Sequence, residues 1–293
     1  MFHSGFVNIV GNPNVGKSTL MNALVGEKIS IITSKAQTTR HRIRGIVTGD
    51  DFQIVFSDTP GVLKPAYKLQ DAMLNFSTSA LTDADVLIYV TDVVETGDKN
   101  PEFLAKVAAS GVPIIVLINK IDLSDPASLE QLAARWMERL PTAQIVPISA
   151  TLHFGTDDLL RRIVSLLPEA PPYFDKEVLT DKSLRFFASE IIREQILTHY
   201  DKEIPYSSEV VIEAYQEEPT MDRISAVILV ARASQKGIII GHQGLMLKKT
   251  GTAARKELEE FLGKKVFLEI FVKVDENWRD NDRKLKNLGY SPE

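Results

Sequence analysis

Eight consecutive residues, Gly11-Asn12-Pro13-Asn14-Val15-Gly16-Lys17-Ser18, set two glycines, a lysine and a hydroxyl in the spacing G-x-x-x-x-G-K-[ST]. The glycines let the backbone curl so that several N–H groups point inward. Those donors, with the positive end of a following helix, can cradle a polyphosphate. In that reading Lys17 reaches the outer phosphates, Ser18 gives its hydroxyl to Mg²⁺, and Thr19 completes the contact run.

Four more pieces follow in the order that a guanine-nucleotide switch requires. Asp58-Thr59-Pro60-Gly61, with Val62 behind it, ends an apolar strand. An Asp there can hold Mg²⁺ through water, and the Gly61 N–H can sense a terminal phosphate. Asn119-Lys120-Ile121-Asp122 follows another apolar strand. The Asp122 carboxylate can accept from guanine N1–H and the exocyclic amine. Adenine offers neither donor, so a buried Asp would be left unpaired against it. Asn119 is expected to tie this loop to the phosphate loop, and the Lys120 stem to pack along the base. Ser149-Ala150 would offer backbone N–H groups to the guanine oxygen. In the loop Ser34–Arg42 two threonines, Thr38 and Thr39, compete to complete the Mg²⁺ shell. Thr39, next to the basic cluster, is the favoured one. The predicted catalytic set is thus Lys17, Thr39, Asp58 and Gly61, and the predicted metal ligands are Ser18, Thr39 and Asp58.

A second glycine loop, Ile240-Gly241-His242-Gln243-Gly244, fits G-x-x-G. The pattern alone is too common to count. From Arg232 to Lys256, however, there are six Lys or Arg and no Asp or Glu. A glycine loop before a basic helix lets a nucleic-acid backbone approach closely. Lys236, Ile240, Gly241, His242, Gln243, Gly244, Lys248, Lys249 and Arg255 are therefore the candidate RNA contacts.

These residues need elements to hold them. Strand-like runs at 6–10, 43–48, 52–57, 86–91, 113–118 and 144–148 alternate with helix-like runs at 17–25, 67–82, 100–109, 127–139 and 156–167. The pattern predicts an α/β doubly wound, mostly parallel sheet with one antiparallel hairpin at its edge. Three prolines in Pro168–Pro172 break it. The expected division is a nucleotide domain at 1–170, a stiff linker at 171–182, an α+β domain at 183–275 and a polar tail at 276–293. That second domain reads helix, two strands, helix, glycine loop, helix, strand. A chain of 293 residues accommodates both domains. Its net charge of −5 rules out a polycation that coats nucleic acid wholesale, so any such surface is local. With no cysteine there is no disulfide or thiolate metal site. No signal peptide and no run of membrane-spanning length is read, so a cytoplasmic protein is expected.

The five nucleotide pieces resemble the translation-factor-related small GTPases over 5–167, and the second domain resembles type II KH domains. One departure stands out: Val62 occupies the position where Ras-like proteins carry a water-orienting Gln. Slow intrinsic hydrolysis is the expectation. The pairing of both domains resembles the bacterial ribosome-assembly GTPases. That resemblance implies GTP and GDP with Mg²⁺ as ligands, and 16S rRNA near its 3′ end and the 30S subunit as partners. It also implies a possible peripheral contact with the inner membrane and no DNA target. Two rival readings are a metabolic NTPase or kinase, and a GTP-sensing module that acts on a protein or membrane without RNA.

Overall fold

A computed structural model describes residues 1–95 and 99–291. The chain divides into two compact units, one of Met1–Ala66 and Gln70–Asp181, the other of Tyr67–Leu69 and Lys182–Ser291.

In the first unit β1 (His3–Gly11), α1 (Lys17–Val25), β2 (Ile43–Thr48), β3 (Phe52–Asp58), α2 (Lys68–Ser79), β4 (Val86–Asp92), α3 (Pro101–Ala108), β5 (Ile114–Asn119), α4 (Pro126–Arg139), β6 (Gln144–Pro147) and α5 (Thr156–Leu166) alternate. The sheet order is β2-β3-β1-β4-β5-β6. Only the β2–β3 pair is antiparallel. Every residue of β4 and β5 is buried, as their unbroken apolar runs require of strands covered on both faces. Because β1, β3, β4, β5 and β6 run the same way, their C-terminal ends share one edge of the sheet. Residues as far apart in sequence as Gly11 and Ser149 meet there, where ligands of open α/β sheets bind.

The segment after α5 is no free spacer. Ser4 Oγ donates to the carbonyls of Ala170 and Pro171. The Gln53 side chain accepts from the N–H groups of Tyr173 and Phe174 and donates to the Phe174 carbonyl at 2.9 Å. Further on, Ile46 N–H donates to Leu179 O at 2.8 Å and Thr180 Oγ1 to Arg44 O at 2.7 Å. The stretch thus occupies the otherwise open edge of β2, which would attract another strand. The proline count said nothing about where those carbonyls find donors.

The second unit holds α6 (Leu184–His199), α7 (Ile204–Ser207), β7 (Ser208–Gln216), β8 (Met221–Val230), α8 (Ala233–Ile240), α9 (Leu245–Leu262), β9 (Lys265–Val274) and α10 (Asp282–Asn287). Ser183 caps α6 by accepting from Phe186 N–H. The sheet order is β7-β8-β9. β8 and β9 are parallel, so a crossover must join them. That crossover is α8, the glycine loop and α9. Ile191, Ile196, Ile228, Ile239, Ala254 and Leu258 lie in the core between helices and sheet. The tail expected at 276–293 as a polar stretch with a short helix and a loose end holds that helix as α10, and its described part is packed down. Trp278, Leu285 and Tyr290 are buried, Trp278 Nε1 donates to Ser207 O at 3.2 Å, and the Tyr290 hydroxyl bonds Glu209. Three apolar residues spaced among charges were too sparse to register as an amphipathic pattern. Residues 292 and 293 of that tail lie outside the described residues.

Candidate functional site

The loop between β1 and α1 bends around a cavity of about 360 Å³. Pro13, Asn14, Gly16, Lys17, Ser18, Thr19, Thr39, Gly61 and Lys120 line it, with Thr33, Ser34 and Gln37 from the loop before β2. Gly16 sits at φ 96°, and a Cβ there would lie 2.2 Å from Asn119 Nδ2. The tie between the two loops therefore demands glycine. Asn119 Nδ2 donates to Val15 O at 2.9 Å, and Asn119 Oδ1 accepts from Ala150 N–H at 3.0 Å.

Lys17 is buried, and its Nζ donates to the carbonyls of Gly11 and Asn12 at 3.1 and 2.8 Å. Burial lowers its pKa from 10.5 to about 8, against the opposing pull of Asp58 and Glu95. The carbonyls hold the ammonium at the cavity wall, where a phosphate would displace them.

Three oxygen groups meet beside it. Ser18 Oγ donates to Asp58 Oδ2 at 2.6 Å and lies 2.7 Å from Thr39 Oγ1, which is itself 3.4 Å from Asp58 Oδ2. Among the described residues the second Asp58 oxygen is buried with no hydrogen-bond partner. Burial, the largest cause, raises the Asp58 pKa, and Ser18 and Lys17 oppose it. A hard cation fits this set of oxygens and would answer the unpaired carboxylate atom. Thr38 also lines the cavity, but its Oγ1 bonds Thr33 Oγ1 and the Lys35 carbonyl, both at 2.6 Å, and not the Ser18–Asp58 pair. The geometry separates the two threonines that the sequence left in competition. Thr39→Ala is expected to lower single-turnover GTP hydrolysis by roughly 10-fold or more, the scale of one lost charge-assisted contact. Thr38→Ala is expected to stay within about threefold in the same assay.

At the base end, Asp122 is exposed and Ser149 Oγ donates to its Oδ1 at 2.6 Å. The burial attached to Asp122 from sequence is absent, so discrimination rests on the base itself drying the carboxylate. The expected role of the Ser149 and Ala150 N–H groups also changes. Ser149 N–H donates to Phe154 O at 3.1 Å and Ala150 N–H to Asn119, so both are engaged within the protein. The Ser149 hydroxyl is the group that bonds Asp122. Lys120, whose stem was expected to pack along the base, lines the cavity. Its Nζ donates to Asn14 O at 2.7 Å and pairs with Asp92 at 2.5 Å.

Thr59 and Pro60 serve the loop. Thr59 Oγ1 donates to Ile9 O at 2.8 Å, and Pro60 O accepts from Ser77 Oγ at 2.7 Å. The Val62 side chain is buried in the core with Leu87, Tyr89 and Phe103, and its N–H donates to Gly11 O. It points away from the cavity as well as lacking a polar atom. Glu95 and Asn100, which bond Asn12, escaped the sequence reading. No motif marks them, and only the fold brings them to the phosphate loop.

In the second unit a groove of about 380 Å³ runs between α9 and β9. Gly244, Lys248 and Arg255 line it, together with Leu247, Gly251, Thr252, Leu268 and Ile270. Positions 248, 251, 252 and 255 share one helix face, and 268 and 270 share one strand face. That alternation on β9 was the available signal for Leu268 and Ile270. Gly241, His242 and Gln243 form the turn into the groove, with φ positive at Gly241 and Gln243. Lys236 and Ile240 sit on α8 before it, outside the groove lining. Lys249 falls on another face of α9, where its charge lowers the pKa of His199 after burial does.

These two sites define the class: a phosphate-loop GTPase domain joined to a KH domain. Residues 6–120 match the 50S ribosome-binding GTPase family and residues 203–279 the KH domain. The chain is 42% identical over 292 residues to GTPase Era of Clostridium kluyveri, covering 99% of this chain and 100% of that one. To GTPase Era of Geotalea daltonii it is 44% identical, covering 99% and 98%. It is similar to Era solved with MgGDPNP and nucleotides 1506–1542 of 16S ribosomal RNA, with a TM-score of 0.96, 38% identity and 100% of both chains covered. A point variant of Aquifex aeolicus Era bound to GDP and aluminium fluoride gives a TM-score of 0.95 at 38% identity, covering 99% of this chain and 100% of that one. The chain belongs to the GTPase Era family, and it is a GTPase.

Proposed function

We propose that this protein is a slow GTP-driven switch that binds 16S rRNA near its 3′ end through the KH groove and acts in assembly of the 30S subunit. The observation that carries the reading is the joint presence, in one chain, of the Ser18–Thr39–Asp58 cluster beside Lys17 and a groove with Lys248 and Arg255 at its lip. The Era structure solved with MgGDPNP and a 16S fragment supports it. In the first unit Lys17 and the loop N–H groups hold the phosphates, and Gly61 N–H meets the terminal one. Ser18, Thr39 and Asp58 would hold Mg²⁺, which supplies charge neutralisation for the departing phosphate. The residue after Gly61 is Val62, whose buried apolar side chain cannot orient water, which is the reason for slowness. In the second unit Lys248 and Arg255 meet RNA phosphates, and Leu247, Leu268 and Ile270 face the bases.

Equilibrium binding to an RNA of 16S nucleotides 1506–1542, against a scrambled RNA of equal length, tests the rRNA assignment. At least tenfold preference for the 16S sequence, with affinity that falls as salt rises, is expected. Equal affinity removes the rRNA assignment. No retention of either RNA favours a GTP-sensing module with a protein or membrane partner. A cytoplasmic site of action with peripheral contact at the inner membrane belongs to the same reading, on resemblance alone. Among the described residues no helix is long and apolar enough to cross a membrane.

A further inference from the structure

Asn100 is the N-cap of α3, yet its side chain caps no N–H of that helix. An Asn at this position ordinarily accepts from the first turn. Here the amide is turned inward. Its Nδ2 donates to Val62 O at 2.9 Å and to Asn12 Oδ1 at 2.7 Å. Asn12 in turn donates from Nδ2 to Glu95 Oε1 at 2.5 Å, and Thr91 Oγ1 donates to Glu95 Oε2 at 3.0 Å. Chemistry fixes the direction of this relay at both ends. Val62 O is a carbonyl and accepts only, so Asn100 must show it the nitrogen. Glu95 is a carboxylate and also accepts, so Asn12 must show its nitrogen to Glu95 and its oxygen to Asn100. The Asn12 side chain is buried, as is that of Glu95 at 7% exposure.

The relay stitches the start of the phosphate loop to the loop after β3. A second stitch lies beside it, where Val62 N–H donates to Gly11 O at 3.1 Å. Between the two stitches and the cavity stands Gly61, which lines the cavity. Its backbone is so close that a Cβ would lie 2.7 Å from Pro13 Cα. We propose that Asn100 is a positioning residue for GTP: by holding Val62 O and Asn12 together it sets the distance between Gly61 N–H and the phosphate loop. The inference rests on the reading of Gly61 as the contact to the terminal phosphate. GDP lacks that phosphate, so its binding does not draw on the relay.

The test compares GDP and GDPNP binding to the full chain with Asn100→Ala, Asn100→Thr and Gly61→Ala. Asn100→Ala is expected to weaken GDPNP about 5- to 10-fold while GDP stays within twofold. Asn100→Thr, which keeps one donor, should fall between wild type and alanine. Equal losses for both nucleotides, or no loss for either, overturn the proposal. Gly61→Ala separates its two layers. If Gly61→Ala selectively loses GDPNP and Asn100→Ala does not, the positioning role fails and the Gly61 reading stands. If Gly61→Ala leaves GDPNP untouched, the Gly61 reading fails and takes the proposal with it. A polarity swap gives a readout that damage to the fold would not produce. Asn12→Asp faces Glu95 with a second carboxylate and should lower the GDPNP-to-GDP affinity ratio. Adding Glu95→Gln restores a donor–acceptor pair and should recover at least half of that loss on a logarithmic scale. No recovery in the double variant also overturns the relay.

Discussion

Lys17→Ala is expected to weaken GDP and GDPNP binding by about two orders of magnitude and to leave the apo fold standing. Each charge-assisted hydrogen bond to phosphate is worth roughly 1.5–3 kcal/mol, and the loss of two sets the scale at about 3 kcal/mol or more. Hydrolysis should fall further, because removing one donor from a developing charge costs roughly 10²–10³ in kcat. The fold is spared because Lys17 is a strained resident. Its ammonium is buried against the carbonyls of Gly11 and Asn12, and its pKa of about 8 lies below the ordinary 10.5. The unfolded chain therefore holds this proton more tightly than the native chain. The penalty is full below pH 8 and is relieved as pH rises from 8 toward 10.5. Thermal unfolding of the variant at pH 7 should match or exceed wild type. A drop of more than about 5 °C would show that Lys17 supports the loop instead.

The same shift gives nucleotide binding a pH dependence of defined sign. Phosphate stabilises the ammonium, so above pH 8 binding takes up a proton. Affinity for GDP should be flat below pH 7.5 and fall by up to about tenfold per unit above 8. Lys17→Ala should lack the part of that slope that the Lys17 ammonium sets.

How much of this was legible in advance divides along physical lines. The phosphate loop, Asp58–Gly61 and Asn119–Asp122 were readable because each couples fixed residue types to the end of an apolar strand. The parallel sheet then forces those ends together. The choice between Thr38 and Thr39 was readable only as a preference for Thr39, since adjacent threonines differ only in which way the chain turns. Nor were the engaged N–H groups of Ser149 and Ala150, which depend on a local turn back from Phe154. Asn12, Glu95 and Asn100 form their relay through pairings that no spacing encodes. In the second unit the basic stretch pointed to the glycine loop but not to which of its side chains line the groove. Charge by sequence position cannot tell that Lys248 faces the groove and Lys249 does not, because neighbours on a helix point about 100° apart.

The groove assignment makes the second large prediction, and Gly244 is where it can be tested without breaking the loop. Gly244 has φ 76° and ψ 8°, a left-handed conformation that Asn and Asp tolerate. Nothing lies within 4 Å of where its Cβ would be. Gly244→Asn should therefore fold and keep most RNA affinity. Gly244→Asp has nearly the same shape and puts a carboxylate at the groove mouth, one turn from Lys248 and in the groove that Arg255 also lines. Its RNA affinity should fall about 10- to 100-fold at 0.1 M salt, on the order of one to two lost phosphate contacts, with a shallower salt slope. GTP hydrolysis should remain within twofold, since the nucleotide site lies in the other unit. Gly241→Ala provides the contrast. Its φ of 70° and ψ of 178° belong to a region nearly confined to glycine. A Cβ there would also meet the Met246 side chain at 2.8 Å. That variant should lose RNA binding together with roughly 1–3 kcal/mol of local stability, seen as faster amide exchange in 240–246. The Asn-to-Asp difference at Gly244 isolates charge from shape. Equal RNA affinity for those two variants would mean that no RNA phosphate passes this point, and the groove would have to be surrendered as the binding face.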